Sequence, residues 1–240
     1  MEGGIRMVGF DADDTLWKSE DYYREAEAEF RHIVGRHVDL DDVGARLYAV
    51  EKRNLAIFGY GVKGMALSMV EAAIEITDGR IPAHDLHRIV AMAKELLRHP
   101  VELLPGVRAA VAAVAARHDV VLITKGDLFH QEAKVRESGL ARWFRRIEIV
   151  SEKDVPTYAR LLEEFGVAAH EFAMVGNSLR SDIAPVLELG GWGLHVPYPL
   201  TWAHENEAEV DAGHPRLRVA ARVDEIADLL ERIAQVAAES

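Results

Sequence analysis

Two aspartates near the start of the sequence, Asp11 and Asp13, stand two residues apart directly after a short apolar run. Carboxylates at this spacing can divide the work of a nucleophile and of a general acid or base. A third carboxylate, Asp182, comes shortly after a further apolar run. Oxygen ligands of this kind are those that Mg²⁺ prefers. The three acids therefore indicate nucleophilic and acid–base chemistry beside a divalent cation.

A hydroxyl group and an ammonium group follow two further apolar runs. Thr124 ends the run at residues 121–123, and Lys153 comes after the run at residues 147–150. Together they can hold and neutralise the oxygens of a phosphoryl group. Without Mg²⁺ and Lys153 the carboxylates would repel an anion about 4 Å away by a few kcal/mol at an effective dielectric of about 20. The metal and the lysine thus make an acidic site usable by an anionic substrate.

The elements that must position these residues are strands of one parallel sheet. After Pro100, continuous apolar runs alternate with helical segments, which predicts a parallel sheet covered on both faces. Ligands of such a sheet bind at the carboxyl ends of its strands, where each polar group above is expected to lie. The predicted strands are at residues 7–10, 119–124, 147–150, 172–175 and 193–196.

The stretch before Pro100 is helical in pattern. Apolar residues recur there at helical spacing, and Gly or Pro breaks separate the segments. The sequence therefore predicts an α/β domain formed by residues 1–17 and 99–240, with a helical domain inserted at residues 18–98. Residues 197–215 lack a clear period and are predicted to form a long loop after the last strand.

In this order the motifs resemble those of the haloacid dehalogenase superfamily of phosphohydrolases. The matching residues are Asp11-Ala12-Asp13-Asp14-Thr15, Thr124, Lys153 and Gly176-Asn177-Ser178-Leu179-Arg180-Ser181-Asp182. The resemblance covers essentially the whole chain, because the superfamily also has a helical insertion between its first and second motifs. It implies a Rossmann-like α/β core domain with an inserted helical cap domain of the C1 type.

The resemblance also implies a role for each matching residue. Asp11 would attack phosphorus and carry an aspartyl-phosphate. Asp13 would protonate the leaving alcohol and then activate water, with its backbone carbonyl on Mg²⁺. Thr124 would bind the transferred phosphoryl group, and Lys153 would offset negative charge on nucleophile and substrate. Asp182 would ligate Mg²⁺ directly or through water.

Two positions depart from the superfamily pattern. Asn177 stands where an aspartate is usual; its amide oxygen can still ligate the metal or order a water, but with less charge. Lys125 stands where the superfamily often has asparagine. It either faces the substrate as an additional cation or points to solvent.

Residues 59–64, GYGVKG, match the residue pattern of a dinucleotide-binding fingerprint. The charged residues before them are typical of a helix rather than of the buried strand that this fingerprint requires. We therefore expect a flexible loop of the helical domain, from which Lys63 can help to bind the substrate.

Composition narrows the range of partners. The chain has 28 Lys+Arg against 40 Asp+Glu, a net charge of −12, which argues against nucleic acid as a partner. Its lack of cysteine excludes thiol nucleophiles, zinc–thiolate sites and disulfides. No apolar run approaches the length of a membrane span, and the N-terminus lacks a signal-peptide core. We expect a cytoplasmic protein that binds neither nucleic acid nor membrane.

These inferences together predict a Mg²⁺-dependent phosphomonoester hydrolase that acts on a small phosphorylated metabolite. Alternatives on the same fold are a 2-haloacid dehalogenase, a phosphonate hydrolase or a phosphomutase. A non-catalytic phosphate-binding relative is an alternative of another class. Asp13 argues against a dehalogenase, which needs neither a second acid at that place nor Mg²⁺.

Overall fold

A computed structural model describes residues 4–206 and 210–239 of the chain. Its strands are β1 (Met7–Phe10), β2 (Asp119–Lys125), β3 (Arg146–Val150), β4 (Phe172–Gly176), β5 (Trp192–His195) and β6 (Leu217–Val219). They form one sheet in the order β3-β2-β1-β4-β5-β6, and every neighbouring pair is parallel. The predicted α/β fold with a parallel sheet is confirmed.

Side chains of the central strands alternate between two hydrophobic cores, which is why these strands appear as continuous apolar runs. Val8 and Phe10 of β1 face one core, and Met7 faces the other. Helices α5 (Val107–Ala115) and α9 (Ile226–Glu239) pack in the first core, and α7 (Val155–Phe165) and α8 (Ala184–Glu188) in the second. Both faces of the sheet are therefore covered, as a parallel sheet requires.

Strand β6 was not predicted, and the prediction that the strand at residues 193–196 is the last one is wrong. The strand has only three residues, all partly or fully exposed at the edge of the sheet, so it lacks the apolar run by which a buried strand is recognised. It pairs with β5 from Gly193 to His195.

The chain divides into two compact units, here called the α/β unit and the helical unit. The α/β unit comprises the described residues of Met1–Glu20, Val101–Lys125 and Ala133–Ser240. The helical unit comprises Asp21–Pro100 together with Gly126–Glu132. None of the helices in the described part of the chain is long and apolar enough to cross a membrane.

The helical unit contains α1 (Glu20–Gly35) from its second residue onward, together with α2 (Val43–Phe58), α3 (Val62–Ile76) and α4 (Ala83–Leu96). These helices bury one core of their own, which includes Phe30, Leu47 and Met69. Residues 126–132 lie outside the predicted insertion at 18–98, yet they group with this unit. The physical reason is Asp127, whose carboxylate accepts a hydrogen bond from Lys63.

Helix α6 (Leu128–Ser138) accordingly begins in the helical unit and ends in the α/β unit. Its later half is fixed in the α/β unit by Val135, which is buried in the first core. Ser138 contributes further, because its hydroxyl donates to the Val135 carbonyl and accepts from the Leu140 amide.

Candidate active site

Three residues predicted from separate motifs meet in the α/β unit. Asp11 follows β1, Lys153 follows β3, and Asp182 lies in the π-helical turn Leu179–Ile183 after β4. Lys153 Nζ donates to Asp11 Oδ1 at 2.5 Å and to Asp182 Oδ1 at 2.7 Å, and all three residues are buried. The carboxyl ends of the strands therefore bring these three motifs together.

The electrostatics of this trio leave one negative charge uncompensated, since two carboxylates share one ammonium group. Burial, and next the charge of Asp182, raise the pKa of Asp11 from 3.8 to about 7, although Lys153 acts in the opposite direction. Burial opposes the charge of Lys153, yet the charges of Asp11 and Asp182 raise the pKa of its ammonium group well above 10.5. Lys153 is thus permanently charged, and the site still carries an excess of negative charge that a further cation could neutralise.

The second oxygen of Asp11 belongs to a network between the first and fourth motifs. Thr15 Oγ1 donates to Asp11 Oδ2 at 3.0 Å and accepts from the Asn177 backbone amide at 3.0 Å. With its side-chain amide turned to satisfy its neighbours, Asn177 also donates to the Asp13 carbonyl oxygen at 3.2 Å and to Asp11 Oδ2 at 3.3 Å. Asn177 therefore contacts oxygen atoms of both Asp11 and Asp13, the two aspartates of the first motif.

This donor set fits Mg²⁺. With the Asn177 amide in the opposite orientation its oxygen faces Asp11 Oδ2 and the Asp13 carbonyl, so that three oxygens converge. Hard oxygen ligands of this kind suit Mg²⁺, and its charge would offset the excess on Asp11 and Asp182. The described residues include no group of three or more acidic or histidine side chains placed to hold a metal. A Mg²⁺ site here would therefore depend on the amide and the carbonyl as well as on carboxylates.

The side chain of Asp13 has different partners from its carbonyl group. Its Oδ1 accepts from Trp17 Nε1 at 2.6 Å and from Lys134 Nζ at 2.5 Å. Trp17 is fully buried and Lys134 nearly so, whereas the Asp13 side chain is 27% exposed. The carboxylate of Asp13 is thus held in place by two buried donors while part of it is exposed to solvent.

The neighbouring Asp14 is a structural residue. Its carboxylate accepts from the backbone amides of Ser19, the residue before α1, and of Glu20, the first residue of α1. The backbone of Asp14 has φ 62°, in the left-handed region that Asp and Asn tolerate better than most residues. Burial, and next the charge of Asp13, raise the pKa of Asp14 to about 8.

Thr124 and Lys125 end strand β2, and both belong to the α/β unit. Thr124 is buried. Lys125 Nζ donates to Glu205 Oε1 at 2.6 Å and to Ser181 Oγ at 2.8 Å, and its side chain is only 14% exposed. The alternative in which Lys125 points to solvent is therefore wrong, and its role toward a substrate stays a prediction.

Glu205, the partner of Lys125, lies in the segment that was predicted as a loop. Its carboxylate also accepts from Ser178 Oγ at 2.5 Å and from Ser181 Oγ at 2.6 Å. Burial alone would raise the pKa of Glu205, but the charge of Lys125 and the hydrogen bonds from Lys125 and the two serines lower it to about 2. Glu205 thus fixes the end of β2 to the turn that carries Asp182.

Lys63 lies in the helical unit, in the first turn of α3. Its ammonium group donates to Asp127 Oδ2 at 2.9 Å and lies 5.1 Å from the centroid of the Phe129 ring. The element before the GYGVKG segment is helix α2, so the strand that a dinucleotide site needs is missing at this place. Binding of substrate by Lys63 stays a prediction.

Comparison with known proteins identifies the family. The family model described as haloacid dehalogenase-like hydrolase matches residues 5–190, a span that includes all four motifs. The chain belongs to this family. No curated protein matches the sequence.

Solved structures of haloacid dehalogenase-like proteins share the fold. A haloacid dehalogenase-like family hydrolase from Xanthomonas campestris is 53% identical, with a TM-score of 0.88 over 99% of this chain and 95% of that one. A 2-haloacid dehalogenase from Pseudomonas syringae is 20% identical, with a TM-score of 0.63 over 95% and 99%. The hydrolase YfnB from Bacillus subtilis, bound to magnesium, is 17% identical, with a TM-score of 0.63 over 95% and 99%.

Within this haloacid dehalogenase-like site, sequence reasoning missed Lys134, and it assigned no role to Thr15 or to Glu205, for which lining of the site and simple loop packing were both open. Thr15 had a signal, because it stands inside the first motif. Lys134 and Glu205 had none, since one lies in a helix and the other in an aperiodic loop. A glycine is required at position 176, because a Cβ there would clash with the Asp182 carboxylate.

Proposed function

We propose that this hydrolase is a Mg²⁺-dependent phosphomonoesterase that acts on a small phosphorylated metabolite through an aspartyl-phosphate on Asp11. The observation that carries the proposal is the buried Lys153 between Asp11 and Asp182, with the separately anchored Asp13 two residues from the nucleophile. One carboxylate is thereby paired with a permanent cation, and another is placed to exchange protons.

The first half-reaction transfers the phosphoryl group to the protein. A carboxylate oxygen of Asp11 forms a bond to phosphorus while the bond between phosphorus and the ester oxygen breaks. Asp13 gives its proton to that oxygen, which leaves as an alcohol. The low exposure of Asp11 and Lys153 keeps competing water away from the nucleophile.

The second half-reaction returns the protein to its starting state. Asp13, now a carboxylate, takes a proton from a water molecule whose oxygen bonds to phosphorus. The bond between phosphorus and the Asp11 oxygen then breaks, and inorganic phosphate leaves. Asp13 ends with the proton it had at the start, so the cycle balances.

Charge stabilisation comes from Lys153, from the Thr124 hydroxyl and from the metal. Lys153 neutralises charge on Asp11 and on the phosphoryl oxygens, and Thr124 donates to one of these oxygens. Asp11, the Asp13 carbonyl, Asn177 and Asp182 would hold Mg²⁺, and the bound ion would supply positive charge that lets an anionic substrate enter an acidic site. The magnesium in YfnB is consistent with such a site on this fold.

Dehalogenation is the principal rival, because dehalogenases share this fold. A leaving halide needs no proton, so a dehalogenase could use the carboxylate held by these two buried donors only to activate water and not as a general acid. The anchoring of Asp13 therefore favours an oxygen leaving group, which must be protonated.

The test measures two products. Purified protein is given 4-nitrophenyl phosphate or 2-chloropropionate, with Mg²⁺ or with EDTA, and release of phosphate or chloride is followed. We expect Mg²⁺-dependent phosphate release, reduced about 10³-fold or more in Asp11→Asn. The matched control is Asp119→Asn, at the other end of β2, where the carboxylate pairs with Arg145 at the surface. Chloride release, or full phosphatase activity in Asp11→Asn, would refute the proposal.

A further inference from the structure

We propose that Lys134 is a positioning residue that, with Trp17, fixes the carboxylate of Asp13 so that its transferable proton is carried on Oδ2. The inference rests on the proposed function, because it concerns the residue that protonates the leaving alcohol. It gives a role to a helix residue that lies outside all four motifs.

Lys134 is a buried cation with a specific partner. Only 10% of its side chain is exposed, and its Nζ lies 2.5 Å from Asp13 Oδ1. An ammonium group out of water is strongly unfavourable unless it is paired, so the Asp13 carboxylate is what allows a lysine at this position. The next residue, Val135, is anchored in the hydrophobic core, which limits movement of the helix that carries Lys134.

Trp17 supplies the second donor to the same oxygen. Its Nε1 lies 2.6 Å from Asp13 Oδ1, and its backbone carbonyl accepts from the Asp14 amide at 2.7 Å. The ring is fully buried, and the Lys134 ammonium group lies 6.0 Å from its centroid. Both donors are therefore held by packing as well as by the hydrogen bonds themselves.

Two donors on one oxygen decide where a proton can reside. A carboxylate oxygen has about two lone-pair sites, and on Oδ1 both are engaged by N–H groups. When Asp13 is protonated, the hydrogen must therefore be on Oδ2. The same oxygen gives the proton to the leaving alcohol and takes one from water, without a rotation of the carboxyl group between the two steps.

This role predicts a dependence on the leaving group. An alkoxide leaves poorly without a proton, whereas 4-nitrophenolate leaves readily without one. Loss of the Lys134 contact should therefore slow hydrolysis of an alkyl phosphate far more than that of 4-nitrophenyl phosphate. A merely structural role would lower both rates by the same factor.

The experiment compares kcat and KM for ethyl phosphate and 4-nitrophenyl phosphate in four variants. Lys134→Met removes the charge and keeps most of the stem, and Trp17→Phe removes the other donor while keeping a ring. Lys134→Arg restores a cationic N–H donor. Arg136→Met is the matched control, an exposed cation on the same helix.

For Lys134→Met we expect kcat for ethyl phosphate to fall about 10²-fold, the lower range for general acid catalysis, and kcat for the aryl ester to fall less than about 3-fold. KM should change little for either ester. Trp17→Phe should shift the ratio of the two rates in the same direction, Lys134→Arg should return it toward the wild-type ratio, and Arg136→Met should leave it unchanged.

Equal losses for both esters in Lys134→Met and Trp17→Phe would overturn the inference. If Lys134→Met does not fold, the ratio in Trp17→Phe decides the question alone, and a wild-type ratio there overturns it. Failure of the wild-type protein to hydrolyse either ester would instead refute the proposed function, so the two failures are distinguishable.

Discussion

Replacing Lys153 by methionine removes the one cation that Asp11 and Asp182 share and keeps most of the side-chain volume. Lys153 contacts the two carboxylates at 2.5 Å and 2.7 Å in a buried site. Breaking a buried ion pair from one side costs about 3–5 kcal/mol, because the partner charge is left without compensation. We expect Lys153→Met to lower the free energy of unfolding by this amount at about pH 8 in EDTA.

The loss should depend on pH in a direction that the pKa of Asp11 determines. That pKa is already about 7 with Lys153 in place, and removal of the cation raises it further. A carboxyl group whose folded pKa lies above its unfolded value binds a proton on folding, so stability falls as pH rises toward the folded pKa. At about pH 5.5 Asp11 is protonated in the folded variant, and the deficit should shrink by about 1 kcal/mol.

Urea unfolding at the two pH values, followed by tryptophan fluorescence and circular dichroism, measures both quantities. The control is Lys18→Met, which removes a partly exposed cation paired with the exposed Glu102 and should cost less than about 1 kcal/mol at either pH. A variant as stable as the wild type at about pH 8, or a loss that does not change with pH, would refute this account of the site.

Three further substitutions test other parts of the α/β unit. Gly176→Ala should lower kcat/KM and cost about 1–3 kcal/mol, because a Cβ there displaces the Asp182 carboxylate, whereas Gly35→Ala, with open space around it, should do neither. Asp14→Asn should keep the contacts to the Ser19 and Glu20 amides. Because the pKa of Asp14 is raised, the wild type loses stability as pH rises from about 4 to 8, so the stability of the variant relative to the wild type should increase over that range. Urea unfolding at both ends of the range checks this. Glu205→Gln should lower the free energy of unfolding by about 1–3 kcal/mol near pH 7. Because the lowered pKa of Glu205 stabilises the wild type fully only above about pH 4.5, the difference in stability between variant and wild type should narrow as pH falls from about 4.5 toward 2. A difference in thermal melts that stayed constant across this range would contradict the prediction.

The sequence predicted the parts of the site that follow from strand topology. Asp11 comes directly after an apolar run and Lys153 three residues after another, and the carboxyl ends of parallel strands lie at one edge of a sheet. Their convergence therefore needed no knowledge of side-chain packing. The order of the four motifs along the chain was enough to place the acids and the lysine together.

Contacts made by helices and loops could not be predicted in this way. Lys134 reaches Asp13 from α6, and Glu205 reaches Lys125 from a segment without periodicity. Both pairings depend on where tertiary packing holds the backbone, which no local pattern encodes. The short edge strand β6 was missed for a related reason, since its residues are too exposed to form an apolar run.

The most direct test of the central claim is to trap the phosphoryl group on Asp11. In Asp13→Asn, with Mg²⁺ and 4-nitrophenyl phosphate, the first half-reaction should proceed because nitrophenolate needs no proton, and the second should stall because no carboxylate activates water. The account predicts a burst of one nitrophenolate per protein and a mass increase of one phosphoryl group, mapped to the peptide that contains Asp11. Nitrophenolate release without a burst, or a phosphoryl group on any other residue, would contradict it.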